Sequence, residues 1–409
     1  MPSREAVATV PDSAGVGSGG PHRLVAALAV TQTVGYGVLY YAFSVLLGPM
    51  SRDLGISTAT AAGALTAAVL VSGLMSVPVG RWLDARGGHA LMTAGSLLGA
   101  ASVLAWSQVS TVVELYAVFV AIGAASAMVL YEPAFAVVVA VAAPAQRAKA
   151  LLGITLVAGF ASTIFIPLTG QLVQAFGWRQ TLLVLAGLLA FITVPLHAAA
   201  LRRTGPRGAH AAPRAAASPS RVLRDPGFWL VAVAFVLHSA ALAVIAIHLV
   251  LYLISLGHSP ALAATLAGLL GLLSVTGRVV ATVSQRWLPM ATTTAGILVI
   301  QGAAISLLPL AGRHLAGAIA CLVLFGLGFG VASIATPAIL LDRYGSTGYA
   351  TIAGTLATPV LIARAAAPLG GALLAATAGY RPLVLFVAAA CIIAGVLLAL
   401  VRQLPPMGA

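Results

Sequence analysis

Long, nearly uninterrupted apolar runs alternate with short polar segments along almost the whole chain. The hydrocarbon core of a membrane is about 30 Å thick, so a helix needs about 20 consecutive apolar residues to cross it. The chain divides into about twelve runs of this length, which predicts about twelve transmembrane helices. A transmembrane barrel would show short segments of alternating hydrophobicity instead, so the pattern favours an all-α membrane protein.

Polar segments divide the chain into two predicted six-helix bundles, a linker and two tails. Residues 1–22 are rich in Gly, Ser and Pro and lack an apolar core, so we expect a disordered cytoplasmic tail and no cleaved signal. The longest internal polar stretch, 202–226, is rich in Arg. It is expected to be a cytoplasmic linker that meets anionic lipid headgroups, with binding of a regulatory partner as the alternative. The bundles then cover 23–201 and 227–402, followed by a tail at 403–409.

The amino-acid composition supports a membrane protein and argues against other classes of protein. Hydrophobic residues make up 61% of the 409 residues and the mean hydropathy is +1.07, which is too high for a water-soluble domain. The net charge of +13 is carried mainly by Arg in predicted loops, so a nucleic-acid partner is not needed to explain it. The sequence lacks the nucleophile, metal-binding and phosphate-loop motifs of enzymes, so neither catalysis, a metal nor a cofactor is expected.

The positions of the basic residues predict which side of the membrane each loop occupies, because Lys and Arg of short loops stay in the cytoplasm. With the N-terminus inside, the Arg residues of the outer loops are only Arg52, Arg179, Arg313 and Arg381. Both termini are therefore expected in the cytoplasm. The strong preference for Arg over Lys is typical of a GC-rich bacterial genome, and the bacterial plasma (inner) membrane is the simplest location.

A faint internal repeat relates the two predicted bundles at an offset of about 200 residues, as in many transporters. Pro-Leu-Thr-Gly at 167–170 and Gly-Trp-Arg at 177–179 recur as Pro-Leu-Gly-Gly at 368–371 and Gly-Tyr-Arg at 379–381. Residues that build the shared architecture should occur in both halves, whereas a substrate contact need not. The repeat therefore helps to separate scaffold from function.

Three charged residues inside apolar runs break this repeat: Glu132, Arg278 and Arg364. A charge at bilayer depth costs a few kcal/mol or more, so it normally faces a cavity or a pathway for substrate or protons. Glu132 also precedes Pro133, which removes a helical hydrogen bond and opens the backbone. Glu132 is therefore the candidate for proton coupling. For all three residues, a structural ion pair is the alternative.

The segment 80–89, Gly-Arg-Trp-Leu-Asp-Ala-Arg-Gly-Gly-His, follows the second predicted helix. It resembles the loop between helices 2 and 3 of the major facilitator superfamily, although Ala85 and Gly88 stand where basic residues are usual. The resemblance implies two six-helix bundles that move by alternating access, with this loop latching them together. The residues to which it assigns a gating role are Gly80, Asp84, Arg86 and Gly87. An ordinary basic loop with a helix-capping aspartate is the alternative.

Arg278 lies eight residues before Arg286, the expected cytoplasmic end of its helix. At 1.5 Å per residue this places Arg278 about 12 Å inside the membrane. An arginine here resembles the monocarboxylate-porter branch, in which it binds the substrate carboxylate through the planar guanidinium. The first-helix segment 40–57 is also similar to that branch. Ser274 replaces an aspartate of the animal members, and the first helix has no lysine, so their acid and lysine coupling is not expected. The resemblance thus implies Arg278 as the substrate-binding residue, and Arg364, Tyr40 and Tyr41 are the further candidates for substrate binding.

The predicted function is secondary transport of a small organic anion, with a monocarboxylate as the favoured substrate, and the transport is expected to be coupled to protons. The protein is expected to be a monomer in the lipid bilayer. Drug or metabolite efflux by proton antiport is the alternative, because such antiporters share the fold. Their fourth helix usually carries an arginine four residues before a glycine, and this chain has Phe119 before Gly123 instead. Two arginines at bilayer depth also suit an anion better than a hydrophobic drug.

Overall fold

The computed structural model describes residues 20–202 and 219–404, and this part of the chain is helical and contains no strands. Most of the predicted N-terminal tail, linker and C-terminal tail lies outside the described residues. Two π-helical segments, Gly37–Tyr41 and Leu189–Thr193, interrupt the α-helices. The α-helices are α1 Gly20–Tyr36, α2 Ala42–Asp53, α3 Thr58–Arg86, α4 Gly88–Trp106, α5 Val112–Val129, α6 Tyr131–Val141, α7 Pro144–Ala158, α8 Ala161–Leu188, α9 Val194–Ala200, α10 Pro219–Val222, α11 Pro226–Ser255, α12 Pro260–Ser284, α13 Met290–Ala311, α14 Leu315–Leu327, α15 Ala332–Tyr344, α16 Tyr349–Ala378 and α17 Tyr380–Val401.

Within the described residues, eleven helical stretches are long and apolar enough to cross a membrane. One of them, Pro144–Ala200, contains 57 residues, which at 1.5 Å per residue is about 85 Å and far exceeds a 30 Å hydrocarbon core. It is not continuous, because Gly177 has φ 77° and ψ 168° and breaks α8. Positive φ favours glycine, which has no Cβ to clash with the backbone. The chain is thus a multi-pass, all-helical membrane protein.

The fourth predicted helix is broken where Pro133 led us to expect an open backbone. Helix α5 ends at Val129, and Leu130 is extended (φ −80°, ψ −155°) before α6 begins. Proline has no N–H, so the carbonyl of Val129, four residues earlier, loses its helical donor. Gln32 Nε2 of α1 donates to this carbonyl at 2.6 Å. The carbonyl that the break leaves without a helical donor therefore has a buried hydrogen-bond donor on another helix.

Each half of the chain has its own apolar core. Phe119 and Leu182 are buried among residues of α1–α8, whereas Leu253 and Leu322 are buried among residues of α11–α17. Large apolar side chains also point outward, and Phe191 is 84% exposed. Such exposure suits a protein whose solvent is lipid, since an apolar surface there costs little.

Helices α3 and α16 join the two halves closely. The backbone of Ala350 lies against Gly80, where a Cβ would collide with its carbonyl. Farther along, Thr358 Oγ1 donates to the carbonyl of Gly73 at 2.8 Å. Small residues permit such close approach of transmembrane helices. Gly80, predicted as a gating residue, is thus part of the surface at which the halves meet.

A buried ion pair fixes one end of the second half. Arg343 donates from Nε and Nη2 to the two carboxylate oxygens of Asp225 at 2.8 and 3.0 Å, and Tyr344 Oη donates to Asp225 Oδ2 at 2.6 Å. Asp225 also caps α11 by accepting from the N–H of Gly227 at 3.0 Å. Burial raises the pKa of Asp225, but the hydrogen bonds from Arg343, Tyr344 and Gly227 together outweigh it and hold the pKa below its ordinary value.

The variant Asp225→Asn is expected to destabilise the protein by about 3 kcal/mol, because it leaves the Arg343 guanidinium buried without its counter-charge. Thermal unfolding in detergent measures the effect. Since the folded pKa is lowered, the stabilisation is present above the unfolded pKa of about 3.9 and is lost as pH falls through the folded pKa. Asp342→Asn changes an exposed neighbouring acid and is the control. Equal unfolding temperatures for the two variants at pH 7 would contradict the assignment.

Candidate functional site

Asp84, near the end of α3, binds the N-terminus of α16. Its Oδ1 accepts from the N–H of Ala350 at 3.1 Å, and its Oδ2 accepts from the N–H and the hydroxyl of Thr351 at 2.7 and 2.6 Å. The first N–H groups of a helix have no partner within the helix and carry partial positive charge, so a carboxylate suits them. Asp84 therefore links the first half of the chain to the second. We call this the Asp84 end of the molecule.

The other predicted gating residues differ in what they contact. Gly87 ends α3 with φ 74°, a conformation that favours glycine, and its N–H donates to the carbonyl of Leu83. Arg86 lies over the ring of Trp82 on its own helix, with Cζ 4.3 Å from the ring centroid. Arg86 forms no hydrogen bond or ion pair with any described residue of α16. Its predicted gating role thus has no direct contact to support it.

Tyr40 and Tyr41 belong to the π-helical segment that divides the first helix. Segments of this kind widen the helix and occur frequently at functional sites. The ring centroids of Tyr40 and Tyr41 are 5.3 Å apart and nearly perpendicular. Gly37, at the start of the segment, lies directly against the ring of Phe165, so a side chain there would displace that ring. Both tyrosines are half-buried and reach accessible space.

Arg364 stands in the middle of α16 and faces these tyrosines. Its Cζ is 5.7 Å from the centroid of the Tyr40 ring. The side chain is exposed and forms no hydrogen bond or ion pair with the residues that the structure describes. A guanidinium carries five N–H donors. Arg364 therefore presents an unpaired, always charged donor group at bilayer depth.

Glu132 lies in the first turn of α6, directly after the break at Leu130. Its half-buried carboxylate is hydrogen-bonded to its own backbone N–H. The ion pairs among the described residues join Arg179 with Asp53 and Arg343 with Asp225, so Glu132 is in neither. The charge of Arg364 acts on it from farther away. The structural ion pair considered as an alternative is thus absent from this conformation.

Arg278, on α12, is buried and bridges both halves of the chain. Its Nη1 donates to the carbonyl of Thr155 at 2.6 Å, and its Nε donates to the carbonyl of Gly330 at 3.4 Å. Thr155 lies in the last turn of α7, and Gly330 follows the end of α14. Carbonyls at helix ends carry partial negative charge and stabilise a cation. Two N–H groups on Nη2 and one on Nη1 have no partner among the described residues.

These separate groups lie within electrostatic range of one another between the halves. The charges of both Arg278 and Arg364 act on Tyr41, and the charge of Glu132 acts on Tyr36 and Tyr131. The structure thus brings together the five residues predicted for substrate and proton: Arg278, Arg364, Tyr40, Tyr41 and Glu132. Two arginines and one glutamate leave an excess of positive charge there, which favours an anion.

Sequence reasoning missed the backbone partners of the site. Thr155 and Gly330 bind Arg278 through main-chain carbonyls, which have no residue-type signature. Gln32 was not singled out, although a proline four residues after a mid-helix carbonyl signals an acceptor that needs a donor. Gln301 links three helices, because its Nε2 donates to the carbonyl of Phe325 on α14 at 3.0 Å and its Oε1 lies 3.1 Å from His238 Nε2 on α11.

The sequence pattern of the Major Facilitator Superfamily matches residues 29–361. No curated protein sequence matches the chain. Among solved structures, the human organic anion transporter MFSD10 (TETRAN) has a TM-score of 0.70 at 17% identity over 92% of this chain and 99% of its own. The E. coli fucose:proton symporter FucP has a TM-score of 0.73 at 15% identity over 94% of this chain and 100% of its own. The proton:xylose symporter XylE has a TM-score of 0.69 at 11% identity over 93% of this chain and 95% of its own.

Proposed function

The chain belongs to the Major Facilitator Superfamily, and from this premise we propose that it is a secondary active transporter of a small organic anion. The observation that carries the proposal is the positive charge between the halves, where Arg364 and Arg278 both act on Tyr41 and Arg364 also acts on the acid Glu132. Arg364 is unpaired, and Arg278 keeps free donors. A planar guanidinium binds a carboxylate through two parallel hydrogen bonds, so a monocarboxylate is the first substrate to test.

We propose twelve transmembrane helices in two six-helix bundles, because the 57-residue stretch broken at Gly177 is long enough to cross twice. The loops that carry most of the Arg residues would then lie in the cytoplasm with both termini and the Asp84 end. The proposed boundaries stay at 23–201 and 227–402. We expect a monomer in the bacterial plasma membrane.

The positions of the hydrogen bonds between the halves support the proposal of alternating access. Hydrogen bonds between them link Asp84 with Thr351, Gly73 with Thr358, and Thr155 with Arg278. Thr358 precedes Arg364 by six residues, or about 9 Å of helix, on the side of the Asp84 end. The described bonds thus close the Asp84 end and leave the other side of Arg364 unlinked. Transport requires these bonds to break so that the Asp84 end opens.

Uptake of radiolabelled lactate and pyruvate into proteoliposomes of the purified protein tests the proposal. An inside-alkaline pH gradient drives protons inward, so a proton-coupled symporter accumulates the anion above its equilibrium level. We expect accumulation that disappears when the gradient is collapsed. Uptake driven only by an opposite gradient would indicate efflux by proton antiport, the alternative mechanism. Absence of anion flux in intact vesicles would refute the proposal.

The variant Glu132→Gln is expected to separate binding from coupling. The amide has the size of the acid but cannot release a proton, so substrate exchange should continue while pH-driven accumulation falls to the level without a gradient. Counterflow and gradient-driven uptake measure the two activities in the same vesicles. Glu114→Gln is the matched control, because Glu114 is exposed at the start of α5 and glutamine preserves its capping box. Full pH-driven accumulation by Glu132→Gln would exclude Glu132 as the coupling residue.

A further inference from the structure

The space beside Arg364 has an aromatic wall formed only by the first half of the chain. Tyr36 and Tyr131 have ring centroids 4.6 Å apart, and Tyr131 stacks on Phe135 at 5.0 Å with an interplanar angle of 15°. Tyr40 and Tyr41 form a second pair on the π-helical segment. The wall therefore combines residues of the first helix with residues just after the break at Leu130. We call these five residues the aromatic wall.

The wall is more than core packing. Tyr36, Tyr40, Tyr41 and Tyr131 are all half-buried, whereas Phe135 behind them is buried. The four phenol hydroxyls are not hydrogen-bonded within the described part of the chain. Buried tyrosines normally find a partner for the hydroxyl. Rings that keep an accessible face and an unpaired hydroxyl are available to a ligand.

Charged groups and aromatic rings lie next to each other between the halves. Arg364 comes from α16 in the second half, and its guanidinium lies 5.7 Å from the Tyr40 ring centroid. The charge of Arg278 also acts on Tyr41 and Tyr131. A ligand bound between the halves would therefore meet guanidinium groups beside aromatic rings. Lactate and pyruvate have a carboxylate that the guanidinium groups can bind, but they have no ring to pack on the aromatic residues.

We propose that the preferred substrates are arene carboxylates, in which a carboxylate is held by the arginines and an aromatic ring packs on the aromatic wall. The proposal rests on the proposed anion transport and names its substrate class. Aromatic pairs prefer offset or edge-to-face geometry and contribute more than their buried area alone. The transfer of the apolar ring from water into the site contributes further binding free energy. A ring that bridges the halves would also link substrate binding to their relative movement.

A matched set of three carboxylates tests the proposal on the purified full-length protein in detergent. Benzoate has a ring and a carboxylate, cyclohexanecarboxylate has similar size without aromaticity, and lactate has only the carboxylate. Competition against bound radiolabelled benzoate gives the three relative affinities. We expect benzoate to bind about 10-fold more tightly than cyclohexanecarboxylate and about 100-fold more tightly than lactate, because both ring geometry and apolar burial contribute.

Two variants test whether the aromatic wall causes the preference for benzoate. Tyr36→Leu and Tyr131→Leu keep apolar volume but remove an aromatic face, so each should lower benzoate affinity about 10-fold and leave lactate affinity within about 2-fold. Phe191→Leu is the matched control, because Phe191 is an exposed aromatic residue of the second π-helical segment. Elution as a single monodisperse peak, with wild-type thermal stability, establishes that each variant is folded.

The outcomes separate this inference from the proposed function. If all three carboxylates bind and benzoate has no advantage over cyclohexanecarboxylate, the aromatic wall does not select substrates and anion transport stands. A loss of affinity for all three ligands in Tyr36→Leu and Tyr131→Leu would likewise overturn selection by the wall. If none of the three carboxylates binds, both the substrate class and the proposed anion transport are wrong.

Discussion

Replacing Arg364 by Ala is expected to lower the uptake of an organic anion by about 100-fold, because a substrate carboxylate loses a charge-assisted partner that can donate two parallel hydrogen bonds. Truncating one member of a buried, hydrogen-bonded charge pair costs about 2–5 kcal/mol. At 1.4 kcal/mol per tenfold change, this range includes the expected loss. The fold should persist, because Arg364 forms no hydrogen bond or ion pair with the described residues whose loss would leave a buried group unpaired.

Initial rates of radiolabelled anion uptake at equal protein content measure this effect. Arg364→Lys keeps the charge but loses the planar fork, so its rate is expected between those of the wild type and Arg364→Ala. Arg381→Ala removes an exposed arginine at the start of α17 and should leave the rate unchanged. Wild-type rates for Arg364→Ala would show that the guanidinium does not bind substrate.

The variant Asp84→Asn is expected to shift the protein about 10-fold towards conformations with an open Asp84 end. The carboxylate accepts three hydrogen bonds from Ala350 and Thr351, and the amide has only one oxygen for them. Hydrogen bonds to a charged group contribute about 1.5–3 kcal/mol each when buried. Asp84 is partly exposed, so solvent screening reduces the sum, and about 1.4 kcal/mol in total corresponds to the tenfold shift.

Distances between spin labels measure this shift directly. Cysteines introduced at Ala148 and Ser346 place labels on exposed positions of the two halves, while the native Cys321 and Cys391 are buried. Asp84→Asn should increase the population with long label distances, and Asp342→Asn, an exposed acid at the end of α15, should not. An unchanged distance distribution in Asp84→Asn would remove Asp84 from the proposed gate.

The helical architecture could be predicted from the sequence because the membrane imposes one simple rule. A run of about 20 apolar residues must be a helix, since no other conformation satisfies its backbone in lipid. Pro133 also indicated an opened backbone, and the break at Leu130 lies three residues earlier. The π-helical segment Gly37–Tyr41 gave no such signal. It accompanies the contact of Gly37 with Phe165, a residue far away in sequence.

The site could be predicted only in part for a related reason. Isolated charges in apolar runs identified Glu132, Arg278 and Arg364, because lipid makes such charges costly. Whether they pair could not be predicted, since that depends on distances between helices. Arg278 binds main-chain carbonyls of Thr155 and Gly330, and Glu132 forms no ion pair. The charged groups could therefore be identified from the sequence, whereas their hydrogen-bond and ion-pair partners are known only from the structure.

A comparison of lactate with lactamide tests whether the region between the halves selects a negative charge. The two compounds are nearly equal in size and differ in the charge that Arg364 and Arg278 would bind. In proteoliposomes of the wild-type protein with an inside-alkaline gradient, we expect saturable accumulation of radiolabelled lactate that unlabelled pyruvate inhibits and a large excess of lactamide does not. Equal inhibition by lactamide, or accumulation of lactamide itself, would contradict this expectation.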